Sequence, residues 1–465
     1  MAQDSGFLAV WDSAWQRATS ERREGVMEQV RRNWFDTLAT TAGGVAESCT
    51  QAALQASVAD GTDALRPYDA ALVLGAASHA LDYDDVCMLA TCHPSAPPVA
   101  ALLALLPMLE QQRPGLALKD FFAAYLLGTE TTLRLGQWLG FRHYALGFHA
   151  TETLGVVGAA ASCAHAMGLP PEQARVALSI AASSAGGLRA NFGTDTKPLH
   201  VGFAASASIR AVLLARAGAS ASDDVWGPTG FFHAFNGGVP FEPLPWTPAM
   251  DWAVDVPGFE HKRYPSCYMT HRLIAGLLRL RERRSPSERA GPVRIEIEVP
   301  KNGLSALKHP QPVTGLQAKF SGHYCAAAAW MDGKVDLASF ADAAIPRDRV
   351  QAQMTRTTLT ERTTDGESLE SAPVHVTLHG EGWTDSITVD WAPGSAADPM
   401  TRDQLRGKWR DCTSYAGIDT DDSRALPLLD ARLETPASDV LRPLRQILLN
   451  AILNTSHEKP DDPKR

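Results

Sequence analysis

The period of the apolar residues changes once along this chain, and that change dictates its architecture. Up to about residue 245 the apolar positions recur at three- and four-residue steps. Val99, Leu102, Leu103, Leu106 and Leu109 are one such set, which places them on one helical face. Leu178–Ala185 and Ala204–Leu214 are rich in Ala and Ser, whose small side chains let helices approach closely, so they are read as central helices of a bundle. Trp226–Pro248 is dense in Gly and Pro and reads as a loop and domain boundary. Beyond it Val293, Ile295, Ile297 and Val299 alternate with Arg294, Glu296 and Glu298, the signature of a half-buried strand. Val374, Val376 and Leu378 alternate again, and Ser386–Trp391 offers a further short strand after a turn at Gly380–Gly382. Helices are expected between these strands at Tyr268–Arg281, Tyr324–Met331 and Leu337–Ala343.

From Leu405 the pattern is helical again. Ser438–Leu453 is amphipathic through Leu441, Leu444, Ile447, Leu448 and Ile452, with Pro443 near its start. The expected fold is mostly α: a large helical domain over residues 1–250, a smaller α+β domain over 251–402, and helices over 403–465 that return to the first domain and make it discontinuous. The terminal SHEKPDDPKR reads as a solvated tail. No fixed-period repeat is visible, which excludes a solenoid.

Composition narrows the function. The chain carries 43 basic and 52 acidic residues, a net charge of −9, and has no basic block to neutralise phosphates, so nucleic acid is not an expected partner. Its seven cysteines are odd in number and form no CxxC pair, which suits reduced thiols in the cytoplasm. The first 25 residues lack the apolar core of a signal peptide. The greasiest stretch, Pro97–Leu109, is shorter than the roughly 20 residues of a membrane span, so no membrane role is expected.

Four clusters carry the chemistry. In SHALDYDDVCMLATCHPS, residues 78–95, His79, Asp82 and Asp85 are three apart and would share a helical face. The plain reading is a solvated acidic helix end. Acids there oppose the helix dipole, which tips the reading slightly toward function. Asp82, Asp84 and Asp85 lack the Gly and terminal Glu of an EF-hand, so no metal is expected. His93 follows in a loop, where a histidine serves as acid or base when it faces a cleft and is mere surface when it does not.

His149 enters a helix rich in small residues, Gly155, Gly158, Ala159 and Ala160. That packing can hold a catalytic group rigid, although a histidine at a helix start is also ordinary. In RANFGTDTKPLH, Pro198 marks a helix start whose free N–H groups and dipole favour an anion. Arg189, Lys197 and His200 surround that start, so a carboxylate or phosphate site competes evenly with a capped surface helix. The Gly spacing of a nucleotide loop is missing. In KRYPSCYMTH, Lys262 and Arg263 precede Cys267 and His271. A thiol near cations and a helix start can have a lowered pKa, whereas most cysteines are buried and inert. A GxSxG elbow is absent, so a serine hydrolase is not supported.

The motifs LDYDD…HPSAP, GFHATET, TDTKPLH, KRYPSC and FSGHYCAAAAWMDGKVDLASF, in this order, resemble those of the MmgE/PrpD family over about residues 10–455. That family includes 2-methylcitrate dehydratase, cis-aconitate decarboxylase and iminodisuccinate epimerase. The resemblance implies a large all-helical domain with a smaller α/β lid, an active site in the cleft between them, no metal or organic cofactor, and a homodimer. It carries the family's acid to Asp82, its histidines to His93 and His149, its lysine to Lys197, its lid-side base to Lys262 and a lid aromatic to Tyr324. Two positions depart: Val86 stands where decarboxylase-type members have Thr, and Cys267 where they have a lid histidine, with His271 one helical turn further on.

The expected enzyme removes or adds a proton beside a carboxylate of a small di- or tricarboxylate, foremost as a dehydratase. The alternatives are an epimerase of an iminodisuccinate-like dicarboxylate, a cis-aconitate-type decarboxylase, or a catalytically lapsed carboxylate-binding homologue. The dianion formed beside a carboxylate needs positive charge placed beforehand. Lys197 and Lys262 are the expected clamps, with Asp82 orienting a histidine and His93 and His149 dividing the acid and base roles. Cys267 opposite a histidine would serve a two-base epimerase. His200, His271, Tyr324 and Arg189 are expected around the substrate.

Overall fold

The computed structural model describes residues 6–455 apart from 22, 59–64, 240–249, 292, 364–368, 370–371 and 420–421. Positions 240–248 of the expected boundary loop and the expected solvated tail from Ser456 lie outside the described residues.

The helical part is assembled on close backbone crossings. Helix Pro67–His79 lies against helix Thr196–Arg216, and a Cβ at Gly75 would fall 2.7 Å from the Cα of Gly202. Only glycine permits that approach. The same device joins Leu118–Ala145 to Gly155–Ala166: a Cβ at Gly128 would lie 2.5 Å from the carbonyl oxygen of Gly158, and the reverse holds equally. In helix Ala96–Gln112, which holds the greasiest stretch of the sequence, Ala100, Ala101, Ala104 and Leu105 are buried as well as Val99, Leu102, Leu103 and Leu106, so this helix is enclosed nearly all round. Helix Thr196–Arg216 is long and apolar enough to cross a bilayer, yet 67% of its apolar window is buried inside the protein.

The second apolar core belongs to a four-stranded sheet: β1 (Arg294–Val299), β2 (Thr357–Glu361), β3 (Val374–Gly380) and β4 (Trp383–Val389), in the order β2-β1-β3-β4. β2 runs parallel to β1, while β3 runs antiparallel to β1 and β4. The sequence reading missed β2, because TTLTE is an edge strand that buries only Thr357 and so shows no apolar alternation. The expected helix at Leu337–Ala343 is two short 3-10 turns. Helix His271–Glu282 sits on the sheet at Gly276, where a Cβ would meet Val376 and Val389 at 3.1 Å.

After the sheet the chain returns. Leu405, Trp409, Leu441, Leu444, Leu448 and Ile452 join the same apolar core as the first helices. Helix Arg402–Tyr415 also delivers Lys408 into the seam between the two cores. Its ammonium is fully buried and donates to Asp36 Oδ1 at 2.7 Å, to the Tyr83 carbonyl at 2.6 Å and to the Lys262 carbonyl at 3.1 Å. One side chain thus ties a helix of the bundle, the loop after His79 and the strap leading to the sheet. Lys408→Met strands the buried Asp36 carboxylate and is expected to cost roughly 3–5 kcal/mol, whereas Asp36→Leu combined with Lys408→Met costs less. Denaturant titration of the two variants checks the order.

Candidate active site

Helix Pro67–His79 stops at His79, and Asp82 adopts φ 51°, a left-handed conformation unusual for a non-glycine residue. The expected shared face of His79, Asp82 and Asp85 is therefore not formed. The turn instead aims Asp82 inward. The loop is then stitched at both edges. Val86 exchanges backbone hydrogen bonds with Glu260 of the lid strap, and Cys87 pairs with Cys92 to turn the chain back so that His93 returns beside Asp82. Ser95, donating to Asp85, and Thr151, accepting the His93 N–H at 3.1 Å, fix the loop's end.

Asp82 is the centre of the site. Its Oδ1 accepts from Lys197 Nζ at 2.8 Å and lies 3.1 Å from Lys262 Nζ, which also donates to the Asp82 carbonyl at 2.7 Å. Burial would raise this carboxyl's pKa, but the two ammonium groups overcome it and hold Asp82 well below the usual carboxylate range. Lys197 also lies 2.6 Å from His79 Nε2, and His79 Nδ1 meets Asp84 at 2.9 Å. An ammonium can only donate, so His79 carries its hydrogen on Nδ1 and is neutral. Its pKa is pushed down to about 3, chiefly by burial.

His93 stands between two carboxylates, with Nε2 3.7 Å from Asp82 and Nδ1 3.2 Å from Asp84. Burial lowers its pKa and Asp84 opposes that shift. His149 has no carboxylate beside it; Nδ1 meets His200 Nδ1 at 2.9 Å, and burial followed by Lys197 holds it neutral.

Asp82, His93, His149 and both lysines line one small cavity open to solvent, with Val86, Met88, Tyr144, Phe192, Met269 and Phe320 as an apolar wall. The structure brings Asp82, His93, His149, Lys197, Lys262 and Cys267 together there, from the bundle and the lid strap alike.

Four expected substrate contacts lie elsewhere. Tyr324 is in the lid core, donating to the Ser339 carbonyl. His271 packs between Tyr264 and Tyr268 with Nε2 against the Ser266 carbonyl. Arg189 donates to the Tyr144 and Ser305 carbonyls and backs the Tyr144 ring from behind. His200 touches His149 rather than the cavity.

Two electrostatic expectations are also corrected. Pro198 is the third residue of its helix, and the N–H groups of Thr196, Lys197 and Leu199 are bonded to Thr194 and Asp195, so the helix start offers an anion little. The Cys267 thiol is not activated: burial, then Asp82, pushes it up to about 11. Sequence reasoning passed over Asp84 as a histidine partner, Phe192 and Phe320 as cavity wall, and Lys319, whose buried ammonium ties the Leu81 and Pro265 carbonyls.

His79, Asp82, Asp84 and His93 place ligand atoms within 4.8 Å of one another, the one arrangement among the described residues that could hold a metal ion. The donors do not fit one: Asp82 Oδ1 is shared by two ammonium groups, and His79 Nε2 faces Lys197.

Residues 16–244 match the MmgE/PrpD N-terminal domain and residues 264–435 the MmgE/PrpD C-terminal domain. The chain belongs to the MmgE/PrpD family. Relatives are the cis-aconitate decarboxylases of Homo sapiens, 30% identical over 74% of this chain and 72% of that protein, and of Mus musculus, 29% identical over the same shares. The cis-aconitate decarboxylase of Aspergillus terreus is 25% identical over 83% of this chain and 81% of its own length. Membership makes this an enzyme of MmgE/PrpD type, and of the reactions expected above, decarboxylation is the one these relatives are named for.

Because Asp82 has a depressed pKa, its stabilisation is complete above the ordinary carboxylate value near 4 and is lost as the pH falls toward its folded-state value. Asp82→Asn is expected to lower stability by about 3–5 kcal/mol at neutral pH. The gap to the native protein should narrow on acidification below about pH 4, which unfolding curves at several pH values measure.

Proposed function

We propose that the protein is a lyase of small polycarboxylates that forms an enediolate-like dianion beside a substrate carboxylate, with decarboxylation of a cis-aconitate-like substrate as its reaction. The observation that carries this reading is the state of the two lysines. Each ammonium has three N–H groups. Lys197 places two on Asp82 and His79, and Lys262 places two on the Asp82 carboxylate and carbonyl. One hydrogen of each remains for the cavity, at a spacing imposed by a single carboxylate. Two such donors fit the oxygens of a bound carboxylate and the charge that grows on it.

Loss of carbon dioxide from a carboxymethyl group conjugated through a double bond sends the electron pair to the far carbon, beside a second carboxylate. The resulting dianion is held by Lys197 and Lys262, and a proton delivered to that carbon restores the carboxylate. Of the two histidines His93 suits the donor role better: burial lowers its pKa, but Asp84, 3.2 Å from Nδ1, works against that shift, whereas the groups around His149 lower its own further. The apolar wall of Phe192, Phe320 and Met269 lies beside these charges, and an apolar surround strengthens each charge contact.

Dehydration is the second reading, and His149 favours it. Elimination of water needs a base as well as an acid, and His149 supplies a neutral imidazole without a carboxylate beside it. The epimerase reading loses support because a thiol at about 11 is protonated at neutral pH and cannot be the second base. The buried state of all seven cysteines suits the cytoplasm, and a homodimer is part of the same proposal through the family resemblance.

Incubation with unsaturated and hydroxylated di- and tricarboxylates in deuterated water tests the reading. Carbon dioxide release with one deuterium gained is expected; water loss alone selects dehydration, and deuterium exchange with inversion selects epimerisation. Lys197→Ala is expected to lower kcat/KM by roughly 10²-fold or more. Cys267→Ser should keep most of the turnover, and its loss would restore the epimerase reading.

A further inference from the structure

Behind His149, away from the substrate groups, lies a buried chain of three titratable side chains. His149 Nδ1 is 2.9 Å from His200 Nδ1, and His200 Nε2 is 3.7 Å from Glu152 Oε2. The carboxylate lies in a place made for it. Gly187 has φ 88°, and a Cβ there would fall 2.4 Å from Glu152 Oε2. The Gly187 carbonyl meanwhile accepts the His149 N–H at 3.0 Å, and Glu152 N–H donates to the His149 carbonyl at 2.9 Å. Glu152 Oε2 is buried and makes no hydrogen bond among the described residues, so the His200 ring is what it faces.

Two Nδ1 atoms at hydrogen-bond distance share one hydrogen, so the two rings cannot carry it in the same position. If Nδ1 of His200 is the acceptor, His149 holds its hydrogen on Nδ1 and turns a bare Nε2 to the cavity. If Nδ1 of His200 is the donor, His149 Nε2 carries the hydrogen instead. The far nitrogen of His200 decides between them, and that nitrogen faces Glu152.

We propose that Glu152 and His200 are positioning residues that act through His149: an ionised Glu152 makes His149 a proton acceptor toward the cavity, and a protonated Glu152 makes it a proton donor. No net reaction is involved; one proton leaves Glu152, and the hydrogens of the two imidazoles shift by one nitrogen each. This inference rests on the reading of His149 as a proton-transfer group in the lyase proposed above.

The surroundings agree with the scheme. Burial raises the Glu152 carboxyl to about 8, within reach of ordinary assay conditions. The groups facing His149 are Lys197, His79, His200 and His93, which oppose a positive charge on it; those facing His200 are His79 and Lys197, which oppose one, and Glu152, which when ionised favours one. His200 is pushed down to about 4, first by burial, so the pair stays neutral while Glu152 titrates.

The test is nitrogen NMR of the full chain labelled at histidine, with the His149 signals assigned by their loss in His149→Asn. The expected result is that His149 Nε2 moves from a protonated to an unprotonated shift as the pH rises through the Glu152 transition, while Nδ1 moves oppositely. Glu152→Gln cannot ionise and should abolish the movement, as should His200→Phe. In the same variants kcat should fall roughly ten- to hundredfold and lose its limb near that pH, with KM little changed. A His149 signal that ignores pH in the native protein, which needs no variant to fold, overturns the proposal, as does a transition that survives Glu152→Gln. If the tautomer shift is seen but none of the polycarboxylates turns over, the lyase reading fails and the relay stands.

Discussion

One buried carboxylate holding two ammonium groups is the constraint on which the site depends. Two lysines that converge on a small apolar cavity would repel each other and lose their hydration. Asp82 removes that obstacle, and its left-handed backbone lets its main-chain carbonyl bind Lys262 while its side chain binds both lysines. The three charges offset one another's desolvation within the cluster, and both ammonium groups line the cavity. Preorganised charge of this kind is worth more in a dry site than the same charge in water.

The cluster draws on three remote stretches of chain. Asp82 follows a bundle helix, Lys197 opens another, and Lys262 lies on the strap to the sheet. Lys408 binds the carbonyls of Tyr83 and Lys262, each next in sequence to a member of the site or that member itself. The returning C-terminal helices therefore complete the site as well as the apolar core. The Val86–Glu260 backbone pair adds a second tie across the same seam.

Much of this was legible in the sequence, and the limits have physical causes. The change of apolar period gave the helical region, the sheet and the helical return, because burial on one face leaves a readable trace. β2 left none, since an edge strand of threonines buries little. Asp82, His93, His149, Lys197, Lys262 and Cys267 were all read as site residues, and all line one cavity. Arg189, His271 and Tyr324 look the same in sequence but spend their polar atoms on backbone carbonyls. Spacing cannot reveal that choice. Nor can it reveal Cys267's environment, where depth of burial outweighs nearby cations, or the Glu152–His200 contact, which depends on a glycine conformation.

The glycine crossing in the bundle has a consequence for how such an enzyme can diversify. Gly75 lies four residues before His79, and Gly202 five after Lys197, so the crossing stands only about 6–8 Å along each helix from the pair that meets at 2.6 Å. It acts as a fulcrum with short arms: a methyl group inserted there would pry the imidazole from the ammonium without touching any ligand. A change of substrate fit that leaves the fulcrum intact would therefore fall on cavity positions such as Val86 and Cys267.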